Sequence, residues 1–256
     1  LRSVFLARAN HVGHLMKSGA QVPDPNGDNL PEITDDIIGL LRRTEDSPSN
    51  SPMVAECDRS SMSSFDASSV DLAGLDARNE LLGQGGATFG QILSVARSRR
   101  LKLTSELPFV SVLHLDELGA VKWHEAETNL PSTPGKRAAA GDLISSLLNP
   151  AKFRATVIPD RYDEVQNSAE FGVFTSKIDP YAALALLQHP LVRAQIAPMG
   201  RGTSSSRRRV DATDVLDLIC PPVDVGWEIE TGKTVKEMLS VLDVAARTLR
   251  ESFNHE

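Results

Sequence analysis

The chain has 256 residues, 41% of them hydrophobic and 24% charged, with a formal net charge of −7. These fractions exclude wholesale disorder, and without a run of about 18 apolar residues no helix can span a membrane. Two distant cysteines, Cys57 and Cys220, make neither a CxxC pair nor a disulfide framework, so a reduced, cytoplasmic protein is expected.

The N-terminus "LRSVFLARANHVGH" lacks a signal-peptide layout, since Arg8 and Asn10 break its apolar patch. A start at Leu1 rather than Met suggests a fragment of a longer polypeptide, or a processed one. Val4, Phe5, Leu6 and Ala9 predict a short amphipathic helix, and Thr34 to Arg43 a second one after the turn-rich "SGAQVPDPNGDNLPEI". Residues 44–69 are dominated by Ser, Pro and Asp and read as a linker. "VDLAGLDARNELLG" has helical or loop character, "TFGQILSVARS" reads as a short helix, and "LPFVSVLHLDELGAVKW" as a strand. In that strand Phe109, Ser111, Leu113 and Leu115 share one face, and "DELGA" supplies a turn. "AKFRATVIPD" and "AEFGVFTSK" are further strands. In "DPYAALALLQHPLVRAQIAPMG" Asp179 caps a helix, Pro180 suits its first turn and Pro190 kinks or divides it. "VDATDVLDLICPP" holds a capping residue and a short apolar element. Last, Thr234 and Glu237 have capping-box spacing at the start of a helix whose stripe is Val235, Met238, Leu242, Ala245, Leu249 and Phe253. That stripe packs either on its own domain or on another chain.

Charge is unevenly placed. Residues 136–209 hold 11 basic and 6 acidic side chains, whereas residues 1–92 hold 7 and 13 and residues 210–256 hold 4 and 10. No acidic residue falls between Arg193 and Arg209. A local field matters more to a polyanion than the total charge. At the centre of this run lies "GRGTSSSRRRV", Gly200 to Val210. Gly200 and Gly202 let the main chain approach a ligand closely, and exposed N–H groups in such a turn bind anions. Thr203, Ser204, Ser205 and Ser206 can donate to phosphate oxygens, and Arg201, Arg207, Arg208 and Arg209 supply forked, charged donors. Three adjacent arginines cannot all point one way, so a division of labour is expected. The bland alternative is a solvated basic loop.

Other motifs fail on spacing or charge. "GWEIETGKT" has Trp227 where a phosphate loop needs Gly, and Glu228 and Glu230 would repel phosphates. "GQGGATFG" fits no dinucleotide pattern. His11 and His14 with Asp24 and Asp28 lack a closing ligand pair, so no metal site is expected. Asp116 and Glu117 with Glu125 and Glu127 flank a turn and read as solvated. No nucleophile elbow is present. "LLNPAKF" lacks the second proline and the aromatic residue of the adenine-methylating NPPY-type motif. The chain by itself is not expected to be an enzyme.

From about Gly90 to Pro222 the sequence resembles a target-recognition domain of type I restriction–modification specificity subunits. The pieces are "LPFVSVLHLDELGAV", "GKRAAAGDLISSLLNP" with its GDIL-x-S-like signature, "FRATVIPDRYDEVQNSAEFGVFTSK", "DPYAALALLQHPLVRAQI" and "GRGTSSSRRRVDATDVLDLICPP". Each is weak alone; their order and spacing make the match more specific. "VFLARANHVGHLMKSGAQVPDPNGDNLPEI" looks like the tail of an adenine-N6 DNA methyltransferase of the modification-subunit kind.

The resemblance implies an α+β fold: a mixed curved sheet with flanking helices, ending in a long amphipathic helix. It divides the chain into a methyltransferase-like tail (1–43), a linker (44–69), a DNA target-recognition domain (70–225) and a helical spacer (226–256). It implies sequence-specific binding of double-stranded DNA, with methyltransferase (modification) and restriction subunits as partners. Any S-adenosylmethionine would belong to a catalytic portion outside this chain. Arg207, Arg208 and Arg209 are the expected base readers. Arg201, Thr203, Ser204 and Ser206 are the expected phosphate contacts, with Lys136, Arg137, Arg154 and Arg193 as an outer ring. Val235, Met238, Leu242, Leu249 and Phe253 are the expected partner face. The competing reading is a protein–protein adaptor that docks through its terminal helix and does not read DNA.

Overall fold

A computed structural model describes residues 4–5, 56–57, 72–96, 100–101, 106–131, 134–201 and 208–253. The chain divides into two compact units, Leu1–Leu75 and Asp76–Glu256. In the first, strands β1 (Val4–Phe5) and β2 (Glu56–Cys57) pair antiparallel, Val4 opposite Cys57. Val4 and Phe5 are therefore extended where a helix is expected, and the expected linker contributes a strand. The expected helix Thr34 to Arg43 and the histidine pair lie outside the described residues.

The larger unit is α+β, as the sequence predicts. One antiparallel sheet runs β4 (Leu93–Val95), β11 (Phe171–Ser176), β8 (Leu143–Ser146), β9 (Ala155–Val157). A second, mixed sheet runs β5 (Arg100–Leu101), β7 (Gly135–Ala139), β10 (Glu164–Asn167), β6 (Phe109–Val110); only the β10–β6 pair is parallel. β3 (Ala87–Thr88) pairs with β12 (Ile219–Cys220). The first sheet is covered on both faces. Leu143 and Phe174 turn toward the helices, packing with Leu184, Leu187 and Ile196. Ile144 and Val173 turn toward the second sheet, packing with Val110, Ala138 and Val165. That double cover explains why β8 is buried along its whole length, Ser145 and Ser146 included, instead of alternating with exposed residues. Fully burying a side chain such as Phe171 or Ile144 contributes about 1.5–3 kcal/mol.

The helices follow local chemistry where it is strong. α1 is Leu72–Gly83 and α2 is Trp123–Thr128. α3 (Pro180–Gln188) starts at Asp179, whose Oδ1 accepts from the amides of Tyr181 (2.8 Å) and Ala182 (3.1 Å). Pro190 divides it from α4 (Pro190–Ile196), as the missing N–H predicts. α5 (Ala212–Leu216) is capped by Asp211 in a reciprocal box with Asp214.

Three elements of the larger unit differ from the sequence reading. "TFGQILSVARS" is a single 3-10 turn, Phe89–Gln91, followed by β4, because β11 offers a strand partner that outweighs helix propensity. The strand expected through Leu115 stops at Val110, and a 3-10 turn at Val112–His114 swings Leu113 out to 81% exposure. The terminal helix α6, Val225–Phe253, starts nine residues before Thr234. Asp224 caps it by accepting from the Trp227 amide at 2.9 Å, whereas the Thr234 hydroxyl donates back to the Glu230 carbonyl.

His114 is buried in its turn, and Nδ1 accepts the Ser111 amide at 3.2 Å. Burial pushes its pKa below 6.5, opposed by the nearby Glu125 carboxylate. The unfolded chain therefore takes up the proton before the native one. Stability from this group is complete above pH 6.5 and declines as pH falls toward the lowered native value. Thermal melts from about pH 7.5 down to about 5 should show this decline, and His114→Gln should flatten it. Identical slopes in both proteins would remove His114 from the account.

Candidate nucleic-acid interface

The two described ends of the arginine-rich stretch meet. Arg201 and Arg209 pair through two backbone hydrogen bonds, each amide donating to the other's carbonyl at 2.8 Å. This neck is fastened to the body: the Asn149 amide donates to the Arg208 carbonyl at 2.8 Å and the Val210 amide to the Leu147 carbonyl at 3.0 Å. Asn149 adopts a left-handed conformation (φ 53°) to make that turn. Gly200 is required there, since a Cβ would stand 2.7 Å from the Pro150 ring and 2.8 Å from the Arg208 Cβ. Thr203, Ser204, Ser206 and Arg207 lie outside the described residues, between the two sides of the neck.

The described arginines of the stretch point in different directions. Arg208 points inward; its Nε donates to the Gly200 carbonyl at 2.8 Å and Nη2 to the Pro198 carbonyl at 3.4 Å. It ties the neck together instead of facing outward as a base reader. Arg208→Ala should lower stability by about 1–3 kcal/mol in a thermal or urea melt, because it frees two part-buried carbonyls. A native melting temperature combined with lost polyanion binding would overturn that structural role.

Arg201 and Arg209 point out, with side chains 55% and 58% exposed, but neither is free. Arg209 holds Glu170 with a two-pronged contact, Nε to Oε2 at 2.9 Å and Nη2 to Oε1 at 2.6 Å. That pairing raises the guanidinium pKa further. Arg201 reaches Asp211 Oδ2 at 3.0 Å and Asp214 Oδ1 at 3.2 Å. The capping-box spacing of Asp211 and Asp214 is visible in the sequence. Glu170, 39 positions from Arg209, gives no sequence signal of its partnership.

The expected outer ring does not converge on the neck as a set of free cations. Lys136 Nζ donates to the Phe171 carbonyl at 2.6 Å, and Arg154 Nη1 donates to the Val112 carbonyl at 3.1 Å. Arg154 Nε is buried without a hydrogen-bond partner. Arg193 braces α4 against the 116–120 turn through Gln188 (3.1 Å) and the Glu117 carbonyl (3.3 Å). Arg137 is exposed and pairs with Glu164 across the strands. Among these four, only Arg137 has its charge at an open surface; the others are mainly struts, because part-buried cations need fixed acceptors.

α6 forms the other feature. Its inner face, Trp227, Val235 and Leu239, packs on the core. Gly232 lies against the Asp179 cap, and Glu228 accepts the Asp179 amide at 2.8 Å. Further along, the β9–β10 turn grips the helix twice, Asp160 on Lys236 at 2.7 Å and Arg161 on Asp243. Arg161 also stacks over Trp123 and Tyr162. Burial and the adjacent Glu127 push the Tyr162 hydroxyl up to about 12. Below these contacts is a cavity of about 520 Å³ lined by Leu118, Val121, Trp123, Tyr181, Leu239 and Leu242. Of the expected partner face, Val235 is half-buried on the core, while Met238 (44%), Leu242 (41%) and Leu249 (61%) are exposed. The side chain of Phe253 lies outside the described residues. Among the described residues no cluster suited to a metal ion occurs, and no helix is long and apolar enough to cross a membrane.

No protein-family model matches the chain, and no curated protein matches it. Among solved structures, an HsdS subunit from Thermoanaerobacter tengcongensis is similar at 12% identity and a TM-score of 0.35, over 70% of this chain and 46% of that one. A structure reported for complex assembly and conformational transition of the type I R-M system is similar at 10% identity and a TM-score of 0.37, over 90% and 57%. The chain thus spans about half the length of these structures.

Proposed function

We propose that this chain is the double-stranded DNA target-recognition module of a type I restriction–modification system, acting with a modification methyltransferase that carries the catalysis. The single observation behind this reading is the clamped loop. Arg201 and Arg209 bracket the segment "GTSSSR" at a hydrogen-bonded neck, within the longest run free of acidic residues in an acidic chain, residues 180–210. Small hydroxyl residues and glycines suit close approach to a phosphate backbone, and forked guanidinium groups suit phosphates or guanine edges. In this reading the body, residues 70–225, holds the duplex, Arg207 faces the bases and Arg209 grips a phosphate. Arg201, Thr203, Ser204 and Ser206 face the backbone. Residues 1–43 are the end of a methyltransferase region, and S-adenosylmethionine is bound elsewhere in the assembly.

Titration of the isolated chain against a short duplex across a salt series tests this reading. Each phosphate neutralised steepens the logarithmic salt dependence by about 0.9. A measurable affinity with a slope of several such units is expected. Absence of duplex binding at low salt would falsify the reading.

The exposed apolar residues of α6 support a second role, docking. From Met238 to Ala246 the only charged residue is Asp243, which is held inward by Arg161. Val241 and Val244 are 66% and 58% exposed. A helix with so little outward charge is suited to a helical partner. Leu242→Lys with Leu249→Lys should abolish co-purification with the modification subunit and leave duplex binding intact. Retained assembly in that variant would exclude this face.

A further inference from the structure

We propose that Glu170, Asp211 and Asp214 form a carboxylate cage that occupies the phosphate-gripping forks of Arg201 and Arg209, and that a polyanion must displace it. The proposal rests on the DNA-binding reading for its biological partner, but the cage itself is a property of this chain. Three carboxylates meet the Arg201 and Arg209 guanidinium groups at the neck, and with Arg208 counted three negative charges balance three positive ones, so the unliganded neck carries no net positive charge despite its arginines. Glu170 takes Arg209 by the side-on fork, through Nε and Nη2, which is also how a guanidinium holds a phosphate. Arg201 spreads its two terminal nitrogens over two separate carboxylates. All of this happens at the surface, where both arginine side chains are more than half exposed. Exposed pairs of this kind are weak and readily exchanged.

The two halves of the cage differ. Asp214 is part of the α5 capping box, accepting the Asp211 amide at 2.7 Å, so the Arg201 half is built into a helix start. Glu170 lies in the turn between β10 and β11, and among the described residues its carboxylate bonds only to Arg209. The Arg209 half is therefore the removable one. Physically, the cage sets a threshold. A lone anion exchanges one charge for another and gains little. A duplex presents closely spaced phosphates and releases condensed counterions, so it outcompetes the carboxylates only when several contacts form together. Weak, partial encounters are rejected, and the arginines are held extended until a full one occurs.

Glu170→Gln keeps the shape and removes the charge. Binding of soluble heparin and of a short random-sequence duplex is measured for the whole chain at matched salt. Glu170→Gln should bind both about three- to tenfold more tightly, and the gain should vanish in an Arg209→Ala background. A gain that persists without Arg209 would be a general charge effect and would overturn the cage. So would unchanged heparin affinity. If heparin shows the coupled gain while neither protein binds duplex, the cage stands and the DNA reading fails. If duplex binds but Glu170→Gln changes nothing, the reading stands and the cage fails. Glu170→Asp keeps the charge but shortens the reach, and should give a smaller gain of the same sign. This second variant decides the matter should the first fold poorly.

Discussion

Replacing Arg201 and Arg209 together by Ala should weaken duplex binding by about 10–100-fold and flatten the logarithmic salt dependence by about 1.8, two phosphate equivalents. The reasoning is geometric. The chain passes through Arg201 and Arg209 as a hydrogen-bonded pair, and that pair is fixed to Leu147 and Asn149, so charge presented there is positioned by a rigid base. Arg209 extends outward from that base, and its partner Glu170 leaves the fork geometry intact for a competing phosphate. Arg208→Ala should behave in the opposite way, lowering stability without changing the slope, because its donors face the Gly200 and Pro198 carbonyls. A salt titration of the two variants side by side distinguishes a gripping arginine from a structural one. Equal slopes for wild type and the double variant would show that the loop takes no part in polyanion binding.

Gly232→Ala should destabilise the protein by about 2–4 kcal/mol, against the usual gain from alanine inside a helix. A Cβ at this position would sit 2.5 Å from both Cγ and Oδ1 of Asp179. Asp179 cannot retreat freely, since Oδ1 caps α3 by accepting two amides and its own amide donates to Glu228. Either the cap breaks or α6 lifts from α3, and both outcomes release the seat formed by Val235 and Leu239. Gly226→Ala in the same helix is the control. Its Cβ would meet only Asp224 Oδ1, at 3.2 Å, which a shift of a few tenths of an ångström relieves, so it should cost much less than Gly232→Ala. Chemical denaturation of both variants decides the matter, and equal midpoints would mean that α6 does not depend on this close approach.

Local chemistry was readable wherever neighbouring residues satisfied each other. Asp179 followed by Pro180, the break at Pro190 and the Asp211 cap all appear as the sequence predicts, because each is settled within four residues. Thr234 and Glu237 have the same capping signature but lie inside α6; Asp224 supplies a cap earlier, and Gly232 is tolerated for its contact with Asp179. The Phe109–Leu115 alternation failed because one 3-10 turn reverses which side chains face inward, burying His114 and exposing Leu113.

By itself the sequence determined the caps and breaks of the central helices, the uneven charge and the arginine-rich stretch. These follow from short-range spacing, composition and steric rules acting along the chain. Only the tertiary structure decided what each arginine does. Glu170, Phe171 and Val112 come from segments distant in sequence from Arg209, Lys136 and Arg154, and they meet those cations only once the chain has packed. A cation's partner depends on which acceptors burial brings within about 3 Å, and that distance is not encoded by neighbours in sequence.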